Sequence, residues 1–536
     1  MEFPAQYTYS TNFSVFLFEN DFLALFPELF LVTASIILLT AGVLVSTSVY
    51  YAKPICITPC TYLALYALIL CYILIIKQPL TGGYIFYNCL VQDPLTLFLK
   101  KLLIIGALMT LCMSMKYNKM ENINQFELIV LILLSVTSML FMIQSADLIS
   151  IYLAIELQSL CFYVMAALKS NSPFSSEAGL KYFLLGAFSS GILLFGCSLV
   201  YGFTGVTEFA NLSKILSCGL PVLGLTGGEG IISLDNAESL SLTPLRGCEL
   251  GMIFILVAFL FKITAVPFHV WAPDVYEGAP TTVTAFFSIA PKIALLSVMI
   301  RILGATDFYF TFGWQKILIF SSATSMILGS FAAMSQNKIK RMLAFSSIGH
   351  VGYMLVALSL DSLLGVQSLC TYIVTYVIMT ASLFATFLLH LGRHDIISGS
   401  TLNGKVGRIK YITDLTQLGI TNPTLAACLT VTMFSMAGIP PLAGFYAKAG
   451  VFLAALSSSQ YVLAIIGVLT SVVSSYYYIR LVKIMYFEKS NQWLCFDRPE
   501  KSSTLILSLC FFFLITFMIY PSPLYLASHM VSLHVF

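Results

Sequence analysis

Apolar residues run through this chain in stretches of about twenty, separated by short polar clusters. A stretch of that length crosses the hydrocarbon core of a bilayer, about 30 Å thick, as a helix. The stretches are continuous and show no strand-like alternation. Of the two folds that satisfy their backbone inside a membrane, the helical bundle is therefore expected over the closed barrel. The pattern predicts fourteen spans, at 22–46, 59–76, 94–115, 127–144, 148–168, 178–202, 251–270, 281–303, 316–334, 342–360, 366–391, 423–456, 461–485 and 503–520. The twelfth is overlong and interrupted by Pro440-Pro441. The seventh ends in Val-Pro-Phe-His at 266–269, where Pro267 cannot continue helical hydrogen bonding. Only 203–250 reads as a long polar loop, with a Gly/Ser-rich middle that looks like a tolerated insertion.

Interrupted spans at corresponding places of two halves are the mark of an inverted-repeat transporter. Spans seven and twelve are five apart, which fits two five-helix repeats. The expected organisation is helices one to three over 1–126, a first repeat over 127–303, a second over 316–485, and the fourteenth helix within 486–536.

Composition and charge narrow the class further. The chain is 59% hydrophobic and 10% charged, with a mean hydropathy of +0.92, which excludes a soluble globular domain. A net charge of +3 spread over 536 residues gives no basic surface for nucleic acid. Of the 27 Lys and Arg residues, 16 fall in odd-numbered loops, 5 in even-numbered loops and the other 6 within spans. The positive-inside rule then turns the odd loops to the cytoplasm or matrix and both termini to the opposite side. The first residues carry Glu2, Glu19 and Asp21 and no basic residue, so insertion by the first helix is expected in place of a cleaved leader. The 13 cysteines form no CxxC pair and read as buried, inert thiols.

Candidate chemistry lies in single charges near the middle of apolar runs: Glu156, Lys262, Lys292 and Lys448. A charge at the bilayer centre costs about 2.5–3.5 kcal/mol on insertion scales, so such groups face the bundle interior and commonly serve ions or protons. Lysine suits a proton relay because desolvation disfavours its charged form and a nearby carboxylate restores it. The alternative is that each lysine is a static partner in a structural ion pair. His350, central in span ten, titrates near neutral pH unless it is simply a satisfied core histidine. Lys181 opens span six, either as a further relay group or as an interfacial side chain snorkelling to the surface. His390 and His394 have metal-pair spacing but straddle a polar helix end, and no metal site is expected there. No glycine-rich nucleotide fingerprint, Walker loop or iron–sulfur cysteine pattern is present.

The segments FLFKITAVPFHVWAPDVYEGAPTTVTAFFSIAPKIA, KIKRMLAFSSIGHVGYML and MFSMAGIPPLAGFYAKAGVF resemble the antiporter-like membrane subunits of respiratory complex I. DLISIYLAIELQSLCFYV and EAGLKYFLLGAFSSGILLFGCSLVYG add to the resemblance, which extends from about residue 22 over nearly the whole chain. It implies a proton-translocating subunit of the mitochondrial inner membrane, or of a bacterial plasma membrane. NADH, FMN, iron–sulfur clusters and ubiquinone would be handled by other subunits, and the partners would be neighbouring membrane-arm subunits, lipids and protons. The resemblance also implies that Glu156 is the helix-five carboxylate and Lys262 its partner, and that Lys292 is the middle of a hydrophilic axis. Lys448 becomes its distal lysine and His350 a link, while Lys181 is a further recurrent lysine. A separate cation/proton antiporter subunit, or a structural spacer with a vestigial polar axis, are the competing readings.

Overall fold

A computed structural model describes residues 17–45, 57–78, 83–121, 126–169, 171–217, 234–304, 311–388, 391–393, 407–408, 410–488, 495–496 and 501–535. The chain is a helical bundle. Its helices are α1 (Leu17–Val45), α2 (Ile57–Lys77), α3 (Pro94–Met120), α4 (Glu127–Gln144), α5 (Leu148–Ala167), α6 (Pro173–Thr204), α7 (Phe209–Ser217), α8 (Leu234–Ile263), α9 (Trp271–Gly278) and α10 (Thr281–Gly304). They continue as α11 (Thr311–Met334), α12 (Ile339–Ser359), α13 (Leu363–Leu388), α14 (Leu418–Thr421), α15 (Pro423–Ala437), α16 (Ala443–Ser457), α17 (Tyr461–Phe487), α18 (Lys501–Thr516) and α19 (Ser522–Val535). A short antiparallel hairpin joins α2 to α3, pairing Gly83–Ile85 with Leu90–Gln92.

Among the described residues, eleven helices are long and apolar enough to cross a membrane: α1 to α6, α10 to α13, and α17. The remaining predicted spans fall on α8, on the α15–α16 pair and on α18. Where the pattern gave one polar loop over 203–250, the chain is helical at Phe209–Ser217 and again from Leu234. Residues 218–233 of that segment lie outside the described residues. The closing helix α19 was not anticipated, because its 14 residues are too short and too polar for a span.

Local chemistry sets the ends. Asp93 precedes α3 and Pro94 occupies its first turn, where a missing N–H leaves nothing unsatisfied. Asn422 accepts the Leu425 N–H at 3.2 Å to start α15, with Pro423 at the first position. Gly438, at φ 85°, ends that helix in the left-handed conformation that glycine adopts freely. The helix of span seven stops at Ile263, with Thr264 at φ 73°, and the chain crosses a turn holding Pro267 before α9.

Burial shows which helices form the centre. The apolar windows of α10 and α12 are each 94% buried and that of α13 is 89% buried, against 33% for α6 and 39% for α17. The first three therefore make the core, and α6 and α17 present long apolar faces outward.

Candidate functional site

Two interior polar groups, Lys292 and His350, sit on central helices at matching depth. Lys292 is eleven residues beyond Thr281 on α10, and His350 eleven beyond Ile339 on α12, about 16 Å of helix in each case. The two helix starts are adjacent: Lys340 donates to the Ala279 carbonyl at 2.8 Å, and Lys338 pairs with Glu277. Lys292 and His350 thus stand at one level.

Tyrosines join them. The buried Lys292 ammonium donates to the Tyr376 hydroxyl on α13 at 2.7 Å and lies 4.7 Å from that ring's centre. The Tyr376 ring is 5.6 Å from the His350 ring. His350 Nδ1 meets the Tyr372 hydroxyl at 2.8 Å, and its Nε2 meets Tyr478 of α17 at 3.3 Å. Lys448 lies over Tyr353 at 5.2 Å and donates to the Met436 and Ala437 carbonyls at 3.0 and 2.9 Å. Those carbonyls end α15 at the Pro440-Pro441 break, where a helix terminus leaves acceptors without intrahelical donors. A cation placed there also meets the negative end of the helix dipole.

At the other end, Lys262 is the penultimate residue of α8 and its Nζ has no hydrogen-bond partner. Glu156 lies half-buried on α5, with Oε1 also unpartnered and Oε2 3.5 Å from Ser159 Oγ. The two do not approach within 4.0 Å, so they form no direct ion pair. Lys262 is 5.9 Å from the Tyr163 ring centre.

Three small cavities lie between these groups, and neighbours share lining residues. One of about 20 Å³ is lined by both Lys262 and Lys292, and also by Tyr276. A second of about 20 Å³ runs from Tyr276 to Tyr376, Ser346 and Met436. A third of about 10 Å³ shares Ser346 and Met436 with the second and is lined by His350 and Lys448. The first two each have room for about one water.

Lys181 stands apart from this series. Its side chain is 40% exposed and pairs with Glu177 at 2.8 Å and Asp274 at 3.0 Å. Asp274 and Glu277 of α9 also face Arg341 of α12, at 3.7 and 3.6 Å, so Lys181 belongs to an ionic cluster at the bundle's end. His390 and His394 lie outside the described residues. Among the described residues no group of three His, Cys, Asp or Glu is arranged to hold a metal, and the cysteines are free thiols.

Sequence reasoning missed the tyrosines. The sequence offers only their spacing, Tyr372 and Tyr376 four apart on one helical face and Tyr353 three after His350, and spacing does not tell an interior tyrosine from a lipid-facing one.

Residues 145–474 match the family model described as NADH:quinone oxidoreductase/Mrp antiporter, transmembrane. NADH-ubiquinone oxidoreductase chain 2 of Marchantia polymorpha is 51% identical over 96% of this chain and 99% of its own length. That of Arabidopsis thaliana is 46% identical over 96% and 97%. NADH-quinone oxidoreductase subunit N 1 of Rhizobium meliloti is 43% identical over 93% and 95%. A chain in respiratory complex I from Thermus thermophilus superposes with a TM-score of 0.72 at 25% identity, covering 93% of this chain and 98% of that one. A chain of the Mrp complex from a Dietzia species shares the fold, with a TM-score of 0.75 at 17% identity over 96% and 97%. With a family model spanning the polar series from Glu156 to Lys448, and full-length relatives near half identity, this chain belongs to the NADH:quinone oxidoreductase/Mrp antiporter family of membrane subunits.

Proposed function

We propose that the chain is a proton-translocating membrane-arm subunit of an NADH-ubiquinone oxidoreductase, in a mitochondrial inner membrane. NADH, FMN, iron–sulfur and ubiquinone chemistry belongs to other subunits, and this chain carries the protons. Glu156, Lys262, Lys292, His350 and Lys448 form the relay, with Tyr376, Tyr372, Tyr478 and Tyr353 as hydroxyl and ring partners. The observation that carries this reading is the row of three small cavities between Lys262 and Lys448, each sharing lining residues with the next. A spacer would have filled that volume with packed apolar side chains.

Protons would pass by short hops between basic groups, hydroxyls and single waters. Lys262, held beyond ion-pairing reach of Glu156, responds to a change in that carboxylate's charge or position. Glu156 is half-buried with its Oε1 shielded, on a helix whose neighbouring Leu153, Leu157 and Leu160 are exposed. An ionisable group at membrane depth is sheltered from lipid. A neighbouring membrane-arm subunit covers this face of α5. Lys181 acts at the edge of the relay, through Asp274, which also faces Arg341.

The fourteen-span organisation, with repeats over 127–303 and 316–485 and both termini in the intermembrane space, is part of the same reading. Two interrupted helical units, α8–α9 and α15–α16, support it. The 16-to-5 loop asymmetry in Lys and Arg supports the orientation.

The test is Lys292→Ala in the intact complex reconstituted into vesicles. Proton pumping driven by NADH should fall at least tenfold, with NADH oxidation by an artificial, quinone-independent acceptor unchanged. Native pumping would overturn the relay.

A further inference from the structure

The short helix α9 shares a cavity with Lys262 and Lys292, and the relay gives it no task. It follows the turn that holds Pro267, with charge on one side and bulk on the other. Asp274 and Glu277 reach the ionic cluster, whereas Trp271, Val275 and Tyr276 are buried. Trp271 donates through Nε1 to the Phe261 carbonyl at 3.1 Å, next to Lys262, and stacks on Tyr182 at 4.6 Å. Tyr276 reaches the helix of the other lysine, with its hydroxyl 3.4 Å from the Phe287 carbonyl of α10. The usual donor to that carbonyl is the N–H four residues on, but position 291 is a proline and has none. One short helix is thus pinned beside Lys262 by its tryptophan and beside Lys292 by its tyrosine.

The Tyr276 ring stands where two cavities approach without merging. Lys262 and Lys292 line the first, and Lys340, Ser346 and Tyr376 line the second. Among the described residues, Tyr276 alone lines both. A polar crossing runs beside it: Lys292, in the wall of the first, donates at 2.7 Å to Tyr376, in the wall of the second. Each cavity has room for about one water, so a single side chain suffices to part them. Truncating a buried aromatic residue leaves a cavity, and one bounded by lysine, serine and tyrosine is polar enough to take up water. Alternating access requires the two sides of a transport step to stay apart, because a proton free to return is not translocated.

We propose that Tyr276 is a positioning residue whose ring bars the direct water path between the two cavities and so routes the proton through Lys292. The inference rests on the chain's being a proton-translocating subunit. Lys292 takes a proton from water of the first cavity. An N–H bond of the ammonium then breaks as its proton passes to the Tyr376 hydroxyl oxygen, and that hydroxyl gives its own proton to water of the second cavity. Tyr376 is regenerated, Lys292 is neutral, and one proton has moved from the first cavity to the second. The Tyr276 hydroxyl contact is longer than an ordinary O–H···O bond, so bulk and not hydrogen bonding makes the barrier.

Tyr276→Phe, Tyr276→Leu and Tyr276→Ala test this in the reconstituted complex. The readouts are protons translocated per NADH oxidised and the stimulation of NADH oxidation by an uncoupler. Phenylalanine keeps the ring, while leucine and alanine open successively larger gaps. The expected ratio is at least twofold lower with alanine, intermediate with leucine and highest of the three with phenylalanine. Uncoupler stimulation should fall in the same order, because a complex that lets protons return works against a smaller gradient. A native ratio in Tyr276→Ala overturns the proposal. So does a loss in Tyr276→Phe as large as in Tyr276→Ala, which makes the hydroxyl a carrier. A slower complex with a native ratio overturns it too, as displaced packing around Lys292. Failure of the leucine and alanine variants to assemble does the same, since Tyr276 is then a packing element. Lys292→Ala measured alongside separates the two readings: pumping lost there but native in Tyr276→Ala removes the barrier and leaves the relay, whereas native pumping in Lys292→Ala removes both.

Discussion

The 2.7 Å hydrogen bond from Lys292 to Tyr376 ties the middle lysine of α10 to α13. Tyr376→Phe removes the hydroxyl that accepts from the buried Lys292 ammonium, an effect of about 1–3 kcal/mol on the charged form. At about 1.4 kcal/mol per factor of ten, pumping-coupled quinone reduction should fall several-fold to tenfold or more in an assembled complex. An unchanged rate would show that the proton bypasses this hydroxyl. Glu156→Gln keeps the side-chain shape while removing the charge that acts on Lys262, so reduced pumping in normally assembled complex is expected. Normal pumping in vesicles would reduce Glu156 to a structural group. The four midspan charges were legible in the sequence because a lone charge in an apolar run stands out. The tyrosines were not, because an aromatic residue in a span satisfies the same hydropathy pattern whether it faces lipid or a lysine. Lys100 was passed over for a related reason. It sits beside Lys101 near a span's start, and nothing in the local pattern reveals that Glu28, 72 positions earlier, lies 2.6 Å away.

At the scale of elements, prolines announced both interruptions but not what fills them. Pro440-Pro441 forbids a continuous helix, which is readable from covalent structure alone. That Lys448 turns back to cap the Met436 and Ala437 carbonyls depends on how α16 returns against α15, which no local rule supplies. The return is tight: a Cβ on Gly444 would stand 1.8 Å from the Ser435 carbonyl oxygen, a backbone atom that cannot swing aside. Gly444→Ala should therefore force α16 away from α15, at about 1–3 kcal/mol for overpacking, and pull Lys448 from its carbonyls. Lower yield or thermal stability of the assembled complex is the measurable consequence, and native stability would show that the break is looser than its geometry implies. The polar segment over 203–250 misled in the opposite way. Its composition reads as loop, yet Phe209–Ser217 alternates its polar and apolar residues with helical period and folds as α7.

The whole molecule must keep two sets of helices in register for any relay to run. Lys292 and His350 share a level only because α10 and α12 start side by side, and the contacts at those starts are ionic. Glu277 of α9 faces Lys338 and Arg341 at the head of α12, while Asp274 joins Arg341 to Lys181 of α6. Each pair is partly exposed and weak alone, but one network ties three helices across the two halves of the chain. Glu277→Lys places like charges opposite Lys338 and Arg341 and should push the α12 end outward. A shift of a single helical residue, about 1.5 Å, would separate His350 from the Tyr376 ring and open the hydroxyl contacts at 2.8 and 3.3 Å. The expected result is a complex that assembles, oxidises NADH with an artificial acceptor at the native rate and pumps fewer protons per electron. Adding Lys338→Glu to that variant restores an opposite-charge pair between the same two positions, so it should recover part of the lost pumping. Recovery by the swap is what distinguishes register from mere loss of a surface charge. If Glu277→Lys pumps normally, the apolar core packed around α10, α12 and α13 holds the register without ionic help.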